Sequence, residues 1–552
     1  MSGKEIVSGN EARKQIMNGV NRLCSIVEVT LGPSGMCVAL DSKFGQPKVT
    51  KDGVTVAKSV ESKNRLENIG IQIVKAAASK ANDTAGDGTT TATVLAGAMA
   101  AEGFKAVSSG VSPVDIAKGI DKGIKSAIEY IKSISRKASD SSDIVKVATI
   151  SANGDQEIGN ILASAFEKVG NDGVVTVEEA KGNEMELEVV EGMHFDRGYL
   201  SPYFVTNSEK MTVEMERPLI LLVEKKISNI QDILPLLEGV VQSGRQLLII
   251  AEDVDGDALA TLVINKLRGG LKVAAVKAPG FGDRRKAMQE DIAILVGAQL
   301  VSEEVGRTLK NTTLEHLGTA QKVTISKDNT TIVVGNANTT KDAVAKRCAQ
   351  IRHQIQESTS DYDKEKLEER LAKLAGGVAV VKVGGTTEVE VKEKKDRVDD
   401  AKNATRAAIE EGIVAGGGVT LLYASKALDS IKAANPAEEA GIRVVKKALR
   451  APILRILTNA GIENSASIAD KLLEKGDSNM LYDARKMQYV SANEGIIDPA
   501  KVVRVALESA GSVAISLLTT EGAIVDLPEE KHTPSMPGGG MGGMGGMGDM
   551  DF

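Results

Sequence analysis

The stretch Ala85-Gly86-Asp87-Gly88-Thr89-Thr90-Thr91-Ala92-Thr93 stands at the start of a helical run that continues through Val94, Leu95 and Met99. At such a start, free backbone N–H groups and the positive end of the helix dipole meet, which suits a phosphate group. The glycines let a ligand approach the backbone, and Asp87 can hold Mg²⁺ against phosphates. The pattern is not a Walker loop. A plain threonine-capped helix start follows from the same physics, so both interpretations stay open.

The chain around this stretch is helical toward both ends and mixed in its middle. From residue 10 to about residue 134 the pattern is mostly helical, with one predicted β-hairpin over residues 48–56 that turns at Asp52-Gly53. Alanine-rich helices return from Asp399 to about residue 520. Because the two ends resemble each other in composition, we predict one helical domain built from both, with an α/β middle inserted into it.

Strand signals concentrate in the middle of the chain. A βαβ rhythm, strand 247–250, helix 257–267 and strand 272–276, indicates a partly parallel sheet. Residues 341–375 form a charged helical pair. The Gly- and Met-rich residues 537–548 have no apolar face and predict a flexible tail. Further strands are predicted over residues 174–177, 185–190, 378–383 and 388–391.

Composition argues against a nucleic-acid function. The chain has 552 residues, with 68 Lys and Arg against 75 Asp and Glu, so its net charge of −7 provides no field that attracts nucleic acid. Aromatic residues make up 3% of the chain and there is no Trp. Proteins that bind single strands need aromatic rings on which bases stack.

The patterns of cysteine, histidine and hydropathy argue against further classes of protein. The three cysteines are odd in number and widely spaced, and the four histidines lack ligand spacing. These patterns argue against a disulfide framework and against metal clusters. The longest apolar runs are far shorter than the ~20 residues of a membrane span, and we identify no targeting segment. We therefore expect a cytoplasmic protein without a membrane span.

Several short motifs have both a structural and a functional interpretation. Leu31-Gly32-Pro33 ends a helix, Lys51-Asp52-Gly53 fits a hairpin turn, and Gly416-Gly417-Gly418 opens a helix where backbone can lie against a ligand. Asp399-Asp400 is predicted to begin an amphipathic helix, where the dipole favours acidic residues whatever their function.

Two apolar helices, residues 230–240 and 257–267, also have two interpretations. Leu234, Leu237, Leu259 and Val263 recur at helical spacing, which is typical of core packing. Leaving such side chains exposed costs about 1.5–3 kcal/mol each, so an exposed stripe would need a function.

Taken together, these segments resemble a group I chaperonin of the GroEL family over essentially the whole chain. The resemblance depends on seven blocks that occur in the family's order. They are Val29-Thr30-Leu31-Gly32-Pro33, Thr50-Lys51-Asp52-Gly53-Val54, Ala85 to Thr93 as quoted above, Phe195-Asp196-Arg197-Gly198-Tyr199-Leu200-Ser201-Pro202-Tyr203-Phe204, Lys277-Ala278-Pro279-Gly280-Phe281-Gly282-Asp283-Arg284-Arg285-Lys286, Ala415-Gly416-Gly417-Gly418 and the glycine-methionine tail.

The resemblance implies an α+β multidomain fold with three domains and a tail. It implies a mostly α-helical equatorial ATPase domain from residues 1–134 and 411–526, and a small α/β intermediate hinge domain from residues 135–190 and 378–410. An α/β apical domain that binds clients and co-chaperonin occupies residues 191–377, and residues 527–552 form the flexible tail.

The resemblance also implies an ATP hydrolase that uses Mg²⁺ and K⁺. Asp52 and Asp400 would position and polarise the attacking water, and Asp87 would hold Mg²⁺. The adenine contact of the family corresponds to Asp483, Ala484 and Arg485, where this chain departs from the usual Tyr-Asn-Ala-Ala. The remaining nucleotide contacts would be Thr30, Leu31, Gly32, Pro33, Lys51, Gly88, Thr89, Thr90, Thr91, Gly417 and Asp498.

The apical domain of the family binds non-native proteins and a GroES-type co-chaperonin in an apolar groove. Two stacked seven-membered rings of identical subunits enclose the client, and ATP withdraws the groove as the apical domains swing about Gly192 and Gly376-Gly377. The groove residues implied here are Tyr199, Ser201, Tyr203, Phe204, Leu234, Leu237, Leu259, Val263 and Ile264.

Two other classes of function compete with an ATP-driven folding machine. A soluble phosphotransferase would need an acceptor pocket with a nearby base, and the sequence contains no such constellation. A non-catalytic binding protein would be monomeric and independent of ATP.

Overall fold

The computed structural model describes residues 4–41, 47–138, 140–170, 173–180, 182–208, 210–303, 306–334, 341–358 and 360–526. The predicted glycine-methionine tail lies outside the described residues. The structure is α+β, with long helices and several small sheets, as the sequence predicts.

The first part of the chain is mainly helical. Local signals fix several helix starts: Asn64 accepts hydrogen bonds from the backbone N–H groups of Leu66 and Glu67, and Pro113 opens the helix that Ser112 caps. The elements are β1 (Lys4–Ser8), α1 (Gly9–Val27), β2 (Val38–Leu40), β3 (Lys48–Thr50), α2 (Gly53–Ser59), α3 (Arg65–Ala85), α4 (Thr89–Ser108), α5 (Pro113–Ile134), α6 (Ser141–Ser151) and α7 (Gln156–Val169).

The middle of the chain is built on small sheets. Its elements are β4 (Val174–Glu179), β5 (Glu186–Val190), β6 (Gly192–Phe195), β7 (Val213–Glu216), β8 (Leu219–Val223), α8 (Leu234–Ser243), β9 (Leu247–Ala251), α9 (Gly256–Leu267), β10 (Val273–Lys277), α10 (Gly282–Val296), β11 (Gly318–Thr319), β12 (Lys322–Ile325) and β13 (Thr330–Val333). Strands β8, β9 and β10 are parallel, which confirms the predicted βαβ unit. All residues of β8 and β9 are buried, as in a sheet covered on both faces.

The last part returns to helices. The predicted helical pair at residues 341–375 is confirmed as α11 and α12, and β14 pairs with β4 in parallel and with β5 in antiparallel orientation. The elements are α11 (Lys341–Glu357), α12 (Asp361–Ala375), β14 (Val378–Val383), α13 (Glu388–Glu411), β15 (Ile413–Ala415), α14 (Val419–Ala427), α15 (Pro436–Ala448), α16 (Ala451–Asn459), α17 (Ser465–Lys475), β16 (Met480–Asp483), β17 (Gln488–Ser491), β18 (Ile497–Pro499), α18 (Ala500–Thr519) and β19 (Gly522–Asp526).

Buried apolar side chains from both chain ends share one core. In that core α18 packs against α3, α4 and α5, and β1 pairs with β19 from Lys4↔Asp526 to Ser8↔Gly522. A second core lies within residues 193–374, and a third joins α6 and α7 to β14 and α13. The exact domain limits given above stay predictions.

Helix α18 is apolar enough in composition to be compared with a membrane-spanning helix. Among the described residues it is the one helix long and apolar enough to span a membrane, and 67% of its apolar window is buried inside the protein. Its neighbours α3, α4 and α5 supply that burial, which is typical of a core helix.

Two predicted elements are wrong. Residues 48–56 do not form a hairpin, because β3 pairs with β2 and Asp52 caps α2 by accepting from the N–H groups of Val54 and Thr55. Residues 388–391 do not form a strand, because Thr387 caps α13 and their Glu-Val-Glu-Val alternation lies in its first turn. Asp399-Asp400 consequently lies inside a helix and does not begin one.

Candidate functional site

The start of α4 leaves backbone donors available for an anion. Gly86 ends α3 at φ 70° and Gly88 precedes α4 at φ 81°, both in the left-handed region that favours glycine. No side chain of the described residues caps α4, and its first helical bond runs from the Ala92 N–H to the Gly88 carbonyl. The N–H groups of residues 89–91 precede that bond, so they are the donors that a phosphate can use.

The start of α2 lies directly against the start of α4. The Asp52 carboxylate accepts from the N–H groups of Val54 and Thr55 at 3.1 and 3.0 Å. A Cβ atom on Gly53 would lie 2.1 Å from the Thr90 hydroxyl oxygen, so only glycine allows this approach. Two helix N-termini therefore meet at one place, and their dipoles reinforce each other.

A cavity of about 420 Å³ opens at this meeting point. It brings together residues that are distant in sequence, from the end of α1, the starts of α2 and α4, the end of α6 and one side of α13. The predicted nucleotide residues that line it are Thr30, Leu31, Gly32, Lys51, Asp52, Asp87, Gly88, Thr89, Thr90, Thr91 and Asp400.

One wall of the cavity is acidic. Burial raises the pKa of Asp87, and the Asp52 charge adds to the rise, while the Gly88 N–H and the Ser151 hydroxyl, 3.0 Å from Asp87, oppose it. Burial raises the pKa of Asp400 well above its ordinary value, and Asp87 and Asp52 raise it further. Gathered carboxylates that resist ionisation in this way favour a bound cation.

This donor set fits Mg²⁺ bound together with phosphates. Among the described residues, no group of three or more His, Cys, Asp or Glu side chains is arranged to hold a metal ion without help. Mg²⁺ usually takes one or two protein carboxylates and completes its shell with substrate phosphates and water. Asp87, beside the N–H groups of α4, provides such a carboxylate.

Basic side chains also line or adjoin the cavity: Lys51 and Arg397 belong to its lining, and Arg485 lies close to Lys51. Burial lowers the pKa of Lys51, and the charges of Arg485 and Arg397 lower it further, although Cys37 opposes them. The Lys51 ammonium lies 3.4 Å from Asn153 Oδ1, and the Arg485 guanidinium donates to the Asn153 carbonyl at 2.9 Å. The cavity thus offers cations to an anionic ligand and carboxylates to a metal ion within one lining.

The remaining predicted nucleotide residues lie outside the cavity lining. Burial raises the pKa of Asp498 to about 7, Asp87 contributes, and the Gly417 N–H partly offsets the rise. Asp498 and Gly417 thus lie together, close enough to Asp87 for its charge to affect Asp498. Asp483 in β16 accepts from the backbone N–H groups of Arg485 and Lys486, so its carboxylate closes a turn. The cavity lining includes neither Pro33 nor Ala484.

The sequence model of the TCP-1/cpn60 chaperonin family matches residues 23–528. The chain belongs to this family. Chaperonins are chaperones in protein folding, they assemble into oligomeric rings that take client proteins, and they are generally ATPases.

Sequence reasoning missed part of the chaperonin's cavity lining. Ser151 and Asn153, at the end of α6, carry no local motif. Pro47, Lys48, Val49, Thr50 and Gly53, beside the predicted Lys51 and Asp52, were missed as well. A further missed set follows one face of α13 at helical spacing, which the wrongly placed start of that helix concealed. Its members are Val389, Lys392, Glu393, Asp396 and Arg397.

The predicted client-binding residues of the chaperonin divide into exposed and buried sets. Tyr203, Leu234 and Ile264 are 63%, 38% and 47% exposed. Tyr199, Leu259 and Val263 are partly buried against the core, and we call these six residues the apolar surface. Phe204 and Leu237 are only 0% and 7% exposed, and Ser201 is also buried. These three residues are therefore buried in this conformation, which differs from the exposed position that the prediction needs.

Proposed function

We propose that this chaperonin is an ATP-driven, group I, GroEL-like folding machine. It captures non-native proteins on its apolar surface and encloses them with a GroES-type co-chaperonin. The observation that carries the proposal is the single cavity that places an uncapped helix start at Gly88 beside the buried carboxylates Asp52, Asp87 and Asp400.

ATP is the proposed substrate, and different residues of the chain bind its phosphates and its Mg²⁺ ion. The N–H groups of Thr89, Thr90 and Thr91 and the Lys51 ammonium bind phosphate oxygens. Asp87 holds Mg²⁺, which neutralises charge on the transferred phosphoryl group when bound. Such a reaction depends mainly on positioning and electrostatics.

Asp400 is the proposed acceptor of the attacking water's proton. Its pKa is raised by burial and by Asp87 and Asp52, and a cation beside Asp87 would lower it again. The Asp400 carboxylate therefore becomes a hydrogen-bond acceptor for water when the site is loaded. Asp52 has a second function, because its oxygens also cap α2 and so fix the geometry of this wall.

Exposed apolar side chains support the client-binding half of the proposal. Tyr203, Leu234 and Ile264 are too exposed for core residues, and non-native proteins offer apolar surface without a common sequence. Seven such surfaces per ring, with two rings stacked, would add avidity. Cytoplasmic location and use of K⁺ belong to the same proposal.

Recovery of a denatured, aggregation-prone enzyme tests this function. With Mg-ATP and a GroES-type partner we expect the wild type to restore activity and Asp400→Ala to bind the client without cycling. Leu234→Ser and Ile264→Ser should lose client capture and keep the ATPase. Val114→Ser, which changes an apolar residue on α5 that is 59% exposed, is the control and should behave as wild type. No recovery by a folded wild type that binds ATP would contradict the proposal.

A further inference from the structure

An ion pair joins the client-binding segment to the helix that carries Asp400. The Lys210 ammonium lies 2.9 Å from Asp399 Oδ2, although the two residues are 189 positions apart. The side chains of Lys210 and Asp399 are 42% and 23% exposed, so the pair is partly shielded from water. Asp399 immediately precedes Asp400 in α13.

Lys210 lies in a turn that continues directly from the apolar surface. Backbone bonds between Thr206, Asn207 and Thr212 close this turn at 2.9–3.1 Å, and the Asn207 side chain accepts from the Lys210 N–H at 3.2 Å. Lys266 at the end of α9 donates to the Val205 carbonyl at 2.9 Å. This bond holds helix α9 and the chain that leads into the turn together. We call the turn that carries Lys210 the Lys210 turn.

Asp399 has a second basic partner on its own helix. The Lys402 ammonium lies 2.8 Å from Asp399 Oδ1, one turn along α13. Burial raises the pKa of Asp399, but Lys402 and Lys210 outweigh it and lower the pKa to about 2. The Asp399 carboxylate is therefore charged whenever the protein is folded near neutral pH, and both lysines neutralise it beside Asp400.

We propose that Lys210 is a positioning residue that couples the apolar surface to ATP hydrolysis. Its ion pair with Asp399 holds the Lys210 turn against α13, and the pair must break when the apolar surface moves away from that helix. The inference rests on the proposed function, because it assigns ATP hydrolysis to the neighbouring Asp400. The pair favours the conformation described here and so opposes any ATP-driven movement of the surface.

The two lysines provide a matched test. Lys210→Met and Lys402→Met each remove one charge from the same carboxylate, but only the Lys210 pair spans two units. Lys210→Met should lower the ATP concentration at half-maximal hydrolysis by about two- to fivefold, the range expected of a partly exposed ion pair. Maximal turnover should stay unchanged. Lys402→Met should leave the half-maximal concentration at the wild-type value, because its pair persists in both conformations.

A second readout needs no ATP. Amide hydrogen exchange at Lys210 and Thr212 should accelerate in Lys210→Met and in Asp399→Asn, and combining the two changes should add nothing further. Equal shifts for both lysine variants, or no shift for Lys210→Met in an active protein, would overturn the coupling alone. Absence of ATP hydrolysis by the wild type would overturn the coupling together with the proposed function.

Discussion

The replacement Asp498→Asn is the most quantitative test of how burial affects the carboxylates near the cavity. Burial raises the pKa of Asp498 from its ordinary value of 3.8 to about 7. Between these two values the folded chain holds a proton that the unfolded chain has lost. Folding stability therefore falls as the pH rises from about 4 to about 7, and the full penalty applies above about pH 7.

The size of the effect follows from the shift. Each pKa unit corresponds to about 1.36 kcal/mol, so the penalty grows by at most about 3 kcal/mol between pH 5 and pH 7. Asparagine removes the titrating group and keeps an oxygen that can accept from the Gly417 N–H. The stability gained by Asp498→Asn should accordingly be larger at pH 8 than at pH 5, by up to that amount.

Thermal unfolding with a chelator and without nucleotide measures this difference. For a unit of 150–250 residues, 1 kcal/mol shifts the midpoint by about 2–4 °C, so the variant should gain several degrees more at pH 8 than at pH 5. Asp121→Asn, which makes the same replacement at a half-exposed carboxylate on α5, is the control for the change of side chain itself. An equal gain at both pH values, or a loss at both, would refute burial as the cause.

Three further changes have defined outcomes. Gly53→Ala should weaken ATP binding by about tenfold in a titration, because overpacking against the Thr90 hydroxyl costs 1–3 kcal/mol, and adding Thr90→Ala should restore part of the affinity. Arg485→Ala should speed release of a fluorescent nucleotide by about two- to fivefold, whereas Lys486→Ala, on the same turn, should not. Asp291→Ala removes a buried carboxylate that two partly buried arginines, Arg347 of α11 and Arg370 of α12, share, and should destabilise the middle of the chain by about 3–5 kcal/mol in proteolysis assays while ATP hydrolysis persists. Unchanged values for any of these variants would contradict the corresponding contact.

Local sequence signals predicted the start of α4 and the parallel βαβ unit, because glycines, helix periodicity and buried aliphatic runs act over short distances. The same signals failed at Asp52-Gly53, where one short motif fits both a hairpin turn and a capped helix start. They failed again at residues 388–391, where Glu-Val alternation satisfies a strand and the first turn of a helix equally well. Pairing of β3 with β2 decides the first case, and the Thr387 cap decides the second.

At the candidate site, too, the sequence predicts only the residues that one local motif contains. Asp87 and its threonines stand in one continuous motif, so the sequence could single them out. Ser151, Asn153 and the face of α13 reach the cavity only because distant helices pack together, and no spacing in the chain records that contact. The sequence also could not predict which residues of the apolar stripe are exposed, because Leu234 and Leu237 fit the same helical pattern but only Leu234 reaches solvent.

The most direct test of the central claim is ATP binding and hydrolysis measured side by side for wild type and Asp400→Asn. The cavity geometry predicts that the wild type hydrolyses Mg-ATP. It also predicts that Asp400→Asn, which keeps Lys51, Asp87 and the N–H groups of residues 89–91, binds ATP with wild-type affinity but turns it over at least about 100-fold more slowly, as the loss of a positioned base does. Wild-type turnover in the variant, or no ATP binding by the wild type, would contradict the account.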